Sequence, residues 1–181
     1  MNKITDSDIC EVIDFINIFL YNIPGREEVD RIRLLDENSI CNIHLAGIIT
    51  CVKNASSDDI LDELNLEYVR LFSQPSDFRT IPVASYHLCE NKTMVSQLTS
   101  ELKELYLEKN FILDKNFVFK EDHIVPILTF VKFIDTDMLD DYTEKYVKSW
   151  VPEFADSLSE TAKHDIYRCM GRLLKDVVDM L

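Results

Sequence analysis

The sequence predicts an all-α protein, a single compact bundle of about eight to ten helices. Three observations carry that expectation. Apolar residues recur at three- and four-residue steps along most of the 181-residue chain. Glycine is scarce, at three residues, and proline modest, at five, a composition that suits long helices better than a sheet with many tight turns. Hydrophobic residues make up 46% of the chain, so it can bury a real core, roughly 70% of its unfolded surface for a domain of this size.

Each element follows in order. Thr5-Asp6-Ser7-Asp8 resembles a capping box, and Ile9, Val12, Ile13, Ile16, Phe19 and Leu20 then mark one helix face. Pro24-Gly25 ends it. Val29, Ile32 and Leu35 suggest a short second helix. Residues 40–52 are apolar almost all round, which fits a buried helix or a buried strand; helical neighbours favour the helix. Ser56-Ser57-Asp58-Asp59 opens the next helix, with Ile60, Leu64, Tyr68 and Leu71 as its stripe, and Gln74-Pro75 stops it. Residues 75–92 read as the longest irregular stretch, and loops of that length are often functional. Met94, Leu98, Leu102 and Leu105 give another helix, and 111–120 reads as an aromatic connector, possible in extended form. Ile124, Ile127, Leu128, Val131 and Ile134 mark the next helix. Leu139, Tyr142, Tyr146 and Trp150 mark another, closed by Val151-Pro152. Ile166, Met170, Leu173, Leu174, Val177 and Leu181 mark the last. The break is expected at 111–120, a hinge between a larger subdomain over about 1–110 and a smaller one over 121–181.

The charge balance narrows the partners. A net charge of −14 opposes the phosphate contacts that dominate nucleic-acid binding and makes an anionic membrane surface a poor partner. It favours a basic ligand, although acidic surfaces also simply keep proteins soluble. Five cysteines are odd in number and scattered. The charged N-terminal stretch does not read as a secretory signal, and no apolar run approaches the roughly 20 residues of a membrane span. Free thiols in a reducing cytoplasm, with no stable membrane insertion, are the expectation.

Candidate chemistry centres on Glu121-Asp122-His123, directly before an apolar run. The trio could be an acid–base site, metal ligands or a helix start. Asp122 as a helix cap, with His123 in the first turn, accounts for all of it, and no second motif stands at a diagnostic spacing. Cys41, His44 and Cys51, with His87 and Cys89, lack any C-x-x-C or H-E-x-x-H pattern, so no metal and no cofactor are expected. Ser85 and His87 lack a nucleophile elbow, and glycines at 25, 47 and 171 build no phosphate cradle. The acidic stretch from Asp135 to Asp141 reads as a solvated turn or as a source of carboxylates for arginine forks.

Four segments then carry a family resemblance. Glu67-Tyr68-Val69-Arg70-Leu71-Phe72 resembles the E-Y-x-x-L-F signature of the TorD/DmsD/NarJ-type molybdoenzyme chaperones. Pro82-Val83-Ala84-Ser85-Tyr86 is similar to the family's P-Y-x-S segment, with Val83 in the Tyr position. Asp122-His123-Ile124 resembles the end of E-P-D-H-I, with Lys120 and Glu121 where Glu and Pro usually stand. Trp150 and Phe154 with a closing helix resemble the C-terminal part. The resemblance implies a non-enzymatic cytoplasmic chaperone. Its partner would be the catalytic subunit of a molybdopterin-dependent oxidoreductase, held through its twin-arginine signal peptide or as the apo form until the cofactor is inserted. A monomer and a domain-swapped dimer are both compatible. It also implies peptide contact at Glu121, Asp122 and His123, with Pro82, Ser85 and Tyr86 shaping the loop. Glu67, Tyr68, Leu71, Phe72 and Trp150 would form the groove wall. A small metal-dependent hydrolase using His44, His87 or His123, and a helical adaptor without a peptide groove, are the alternatives.

Overall fold

The computed structural model describes residues 6–73, 80–89 and 97–181, and its architecture is all-α. Helix α1 (Asp6–Tyr21) buries Ile13, Ile16, Phe19 and Leu20 on one face, the stripe its spacing predicts. The proposed cap at Thr5 lies outside the described residues. Helix α2 (Arg26–Arg33) carries Glu27 and Glu28 in its first turn and Arg31 and Arg33 in its last, in line with the helix dipole. Arg33 also donates to the carbonyls of Val52 and Ala55. It thereby satisfies the C-terminal end of α3 (Ile43–Asn54), an end that has no further helical donors of its own.

Helix α3 corrects one expectation. It is helical, but it is not buried all round: Ile48, Ile49 and Val52 face the core while Ile43 is 77% exposed. Its start is fixed by Asn42, whose side-chain oxygen accepts from the amides of His44 and Leu45. Ser56 caps α4 (Ser57–Tyr68) by accepting from Asp59 N–H at 3.1 Å, as expected. The helix continues as a π-helical turn over Val69–Ser73. Gln74-Pro75 falls outside the described residues.

The expected irregular stretch holds a short helix, α5 (Ala84–Leu88), with Ala84 and Ser85 buried. Helix α6 (Gln97–Glu108) follows, and Met94 lies outside the described residues. Asn110 takes φ 55°, a left-handed conformation asparagine tolerates. Phe111 N–H then reaches back to the Tyr106 carbonyl at 2.8 Å, and the Phe111 ring packs 5.2 Å from Phe130. The chain is thereby turned into the connector 111–120, which has no regular structure.

Helix α7 (Ile124–Phe130) is short and packed inward, with Ile124, Pro126, Ile127, Leu128 and Phe130 all buried. Pro126 sits in its first turn, where a missing N–H costs no helical bond. Helix α8 (Thr136–Thr143) runs into a second π-helical turn, Glu144–Lys148. Helix α9 (Val151–Thr161) is a correction: Val151-Pro152 opens a helix where the sequence was read as closing one. A proline in the first turn starts a helix as readily as it ends one. Helix α10 (Asp165–Met180) closes the chain, packing against α9, α3 and α1. The buried cluster runs from Ile13 to Val178 through these helices. Among the described residues no helix is long and apolar enough to cross a membrane.

Candidate functional site

The segments 82–86 and 122–124 meet. Val83 and His123 form an isolated antiparallel bridge, with Ala84 N–H donating to the Asp122 carbonyl at 2.8 Å and Ile124 N–H to the Pro82 carbonyl at 2.9 Å. Asp122 is fully buried, and its carboxylate accepts from Ser85 N–H at 3.2 Å. That bond changes its expected role. The cap of α7 is His123, whose Nδ1 accepts from Val125 N–H at 3.3 Å. Asp122 lies one residue too early and turns inward to hold the loop that carries Ser85.

His123 is 1% exposed. Burial pushes its pKa down to about 3. With Nδ1 accepting a hydrogen bond, the neutral ring carries its proton on Nε2, and that atom has no protein partner. Phe119 stacks over the ring at 4.2 Å and 12°. The sign for stability follows directly. The folded pKa lies below the ordinary 6.5, so the native state binds fewer protons and stability falls as pH drops from about 6.5 toward about 3. Wild-type protein should lose up to about 1.4 kcal/mol more per pH unit in that window than His123→Asn, which keeps a capping oxygen and cannot titrate. Urea midpoints from pH 7 to 5 measure it; parallel slopes would refute it.

A groove of about 670 Å³ opens beside this junction. Its walls include Tyr21, Tyr68, Phe72, Ile81, Phe119 and His123, and Lys120 is the charged residue among its described lining. Aromatic contacts join three distant segments. Tyr21 stacks on Phe117 at 5.5 Å and 9°, and Tyr68 meets Phe72 edge-on at 4.9 Å. Tyr68 Oη also donates to the Tyr21 carbonyl at 3.4 Å.

The structure sorts the sequence-derived candidates. Pro82 and His123 line the groove. Ser85 and Asp122 form the clasp behind it. Tyr86 packs edge-on against His87 at 5.4 Å. Glu121 is half-buried, with its carbonyl accepting from Tyr106 Oη at 3.2 Å. Tyr68 and Phe72 are groove wall, whereas Leu71 is core. Trp150 is core as well, with its indole N–H on the Tyr146 carbonyl at 2.7 Å and His87 stacked on it at 5.0 Å. Tyr21, Ile81 and Phe119 were missed, whereas Lys120 was singled out only as a departure from the family's motif. The alternation of Phe117 and Phe119 in the connector was the available signal for part of that wall.

Glu67 ties two distant parts of the bundle to each other. It is 7% exposed, and Arg70 grips it through two bonds of 2.7 Å. The same carboxylate accepts from the amides of Lys163 and His164, and Arg70 donates to the Thr161 carbonyl at 2.8 Å. The end of α4 is thus pinned to the turn between α9 and α10.

The histidines do not converge. His87 Nε2 is bonded to the Ile81 carbonyl at 2.8 Å, His123 caps α7, and His44 stands on α3. Among the described residues no three His, Cys, Asp or Glu side chains group as metal ligands. The acidic stretch 135–141 is largely exposed, with Asp135 paired to Lys109 at 2.9 Å.

Residues 40–156, more than half of the chain, match the family described as nitrate reductase delta subunit. The chain belongs to this family, of the TorD/DmsD/NarJ type; its members are maturation chaperones that work with molybdoenzyme subunits, and it is a chaperone and not an enzyme. A crystal structure of an Archaeoglobus fulgidus protein assigned to redox enzyme maturation is similar in fold, with a TM-score of 0.64 at 21% identity over 94% of this chain and 93% of that one. No curated protein sequence matches.

Proposed function

We propose that this chaperone binds the twin-arginine signal peptide, or the apo form, of a molybdopterin oxidoreductase catalytic subunit in the cytoplasm, and assists its cofactor insertion before export. The observation that carries this reading is the aromatic groove beside the Val83–His123 bridge. Its size and apolar walls suit an extended or helical guest segment with few charges. His123 Nε2–H is a buried donor without a protein acceptor, and a guest carbonyl would satisfy it. In this reading Asp122 and Ser85 position the groove floor, and Glu121 and Lys120 border it. The connector 111–120 acts as the hinge between subdomains 1–110 and 121–181, carrying Phe119 toward or away from the guest.

Calorimetric titration with such a signal peptide tests this. Micromolar binding, about −8 kcal/mol, is expected. Phe119→Ser should weaken it about tenfold, in the range of an aromatic interface anchor, and Asp122→Ala should weaken it through the displaced loop. Binding of the folded apo-enzyme without the peptide would keep the role and move the contact. Silence toward both would end the proposal.

A further inference from the structure

We propose that Cys51 on α3 and Cys169 on α10 form a reversible disulfide, a clip across the seam between these two helices that a low-molecular-weight disulfide closes and a thiol reductant opens. The inference does not depend on which client is bound. It concerns two thiols that neither the groove nor the clasp uses, on a chain whose five cysteines are free.

Helices α3 and α10 pack on each other. Gly47 stands on their seam: a Cβ placed there would meet Cys169 Sγ at 3.4 Å. Cys51 lies four residues further along α3, on the same face, where Cβ positions are about 5–6 Å apart. Side chains on a helix lean toward its N-terminus, so the Cys51 thiol leans back toward the turn of Gly47. The Cys169 sulfur is already beside that turn. Both cysteines are half-buried against the core cluster, so each sulfur is packed on one side and keeps some contact with solvent on the other.

The electrostatics agree with that placement. Burial is the main influence raising the Cys51 thiol, followed by Asp165, and a Cys169 thiolate raises it further. Such repulsion requires the two sulfurs to be neighbours. Burial also raises the Cys169 thiol, with Arg172 and Arg168 opposing and Asp165 adding to it. Few thiolates therefore exist at neutral pH. A brief oxidant pulse leaves the pair reduced, and sustained exposure closes it.

The exchange runs in two steps. One cysteine sulfur attacks the added disulfide, displaces one thiol and keeps the other half as a mixed disulfide. The second cysteine sulfur attacks the first and displaces that half as a second thiol. The two cysteine protons leave on the two released thiols, and the two electrons the cysteines lose reduce the reagent. The link joins residues more than a hundred positions apart, one on each side of the connector 111–120. While it holds, the parts on either side of the connector cannot separate, and the unfolded chain loses loop entropy.

The test is incubation of the full chain with excess glutathione disulfide for several hours, followed by peptide mapping without reduction and a thermal melt. The expected product is a crosslinked peptide pair containing Cys51 and Cys169, with a Tm about 5–10 °C above that of the reduced chain, both reversed by dithiothreitol. Cys51→Ala and Cys169→Ala should each abolish the shift. The comparison is between oxidised and reduced samples of the same variant, so any loss of packing cancels, and the wild-type map decides alone if a variant fails to fold. Cys41→Ser, which removes an exposed thiol, should leave the shift in place. Free thiols at 51 and 169 after the full exposure would overturn the inference. So would glutathione held on either one without the crosslink, or a crosslink that lowers the Tm. The signal-peptide reading stands or falls separately, on its own titration.

Discussion

Glu67→Ala should lower the unfolding free energy by about 2–3 kcal/mol, since it removes a nearly buried carboxylate with several charge-assisted hydrogen bonds, each typically worth about 1.5–3 kcal/mol, while the Arg70 side of the pair remains part-exposed. The carboxylate meets the Arg70 fork and two backbone amides across a turn almost a hundred residues away. Alanine would strand the guanidinium and both amides together. Glu67→Gln keeps an acceptor for part of the set and should cost visibly less. Acid should mimic the loss. Burial is the largest single influence on Glu67 and pushes its pKa up; the Arg70 fork and the two amides together outweigh it, so the net value lies below the usual 4.5. The contribution is therefore complete above about pH 4.5 and disappears as pH falls through the lowered folded value. Denaturant unfolding at pH 7 measures the alanine effect, and a loss under about 1 kcal/mol would show that the pin is not holding the bundle.

The second large effect is expected at Gly171, in the middle of α10. Helix propensity alone favours alanine there by about 1 kcal/mol. Packing opposes it. A Cβ at this position would stand 2.5 Å from the Ala155 carbonyl oxygen and 2.9 Å from Ser159 N, both backbone atoms of α9 that no rotamer change can move. The two helices would have to separate, and α9 carries Phe154 and Leu158 in the core. Overpacking of this kind costs about 1–3 kcal/mol or more, so Gly171→Ala should destabilise and Gly171→Val should do so further. The sign decides: a stabilised alanine variant would mean that α9 and α10 do not approach as closely as the structure has them.

Much of this architecture was legible beforehand, because a stripe with a 3.6-residue period can bury itself in few ways. Helices α1, α4 and α10 carry such stripes and appear where the spacing puts them. Helix α9 was hidden by Pro152, although Val151, Phe154, Ala155 and Leu158 already held the right spacing. The site was legible in part. Motif resemblance brought 82–86 and 122–123 forward, and the structure joins them. The direction of each side chain was not available. Asp122 turns inward because two loop segments pair main chain to main chain, and that pairing is a tertiary event. The groove walls come from Tyr21 and Phe119, remote in sequence and united only by packing.

The placement of α10 bears on how the protein comes into being. Helix α10 packs against α3 and α1, so the apolar faces of those two earlier helices find their final cover only after the residues of α10 have left the ribosome. At roughly 5–20 residues per second, the nascent chain spends several seconds with those faces unsheltered. Truncation within α10 should therefore yield aggregation-prone chains rather than a smaller folded domain.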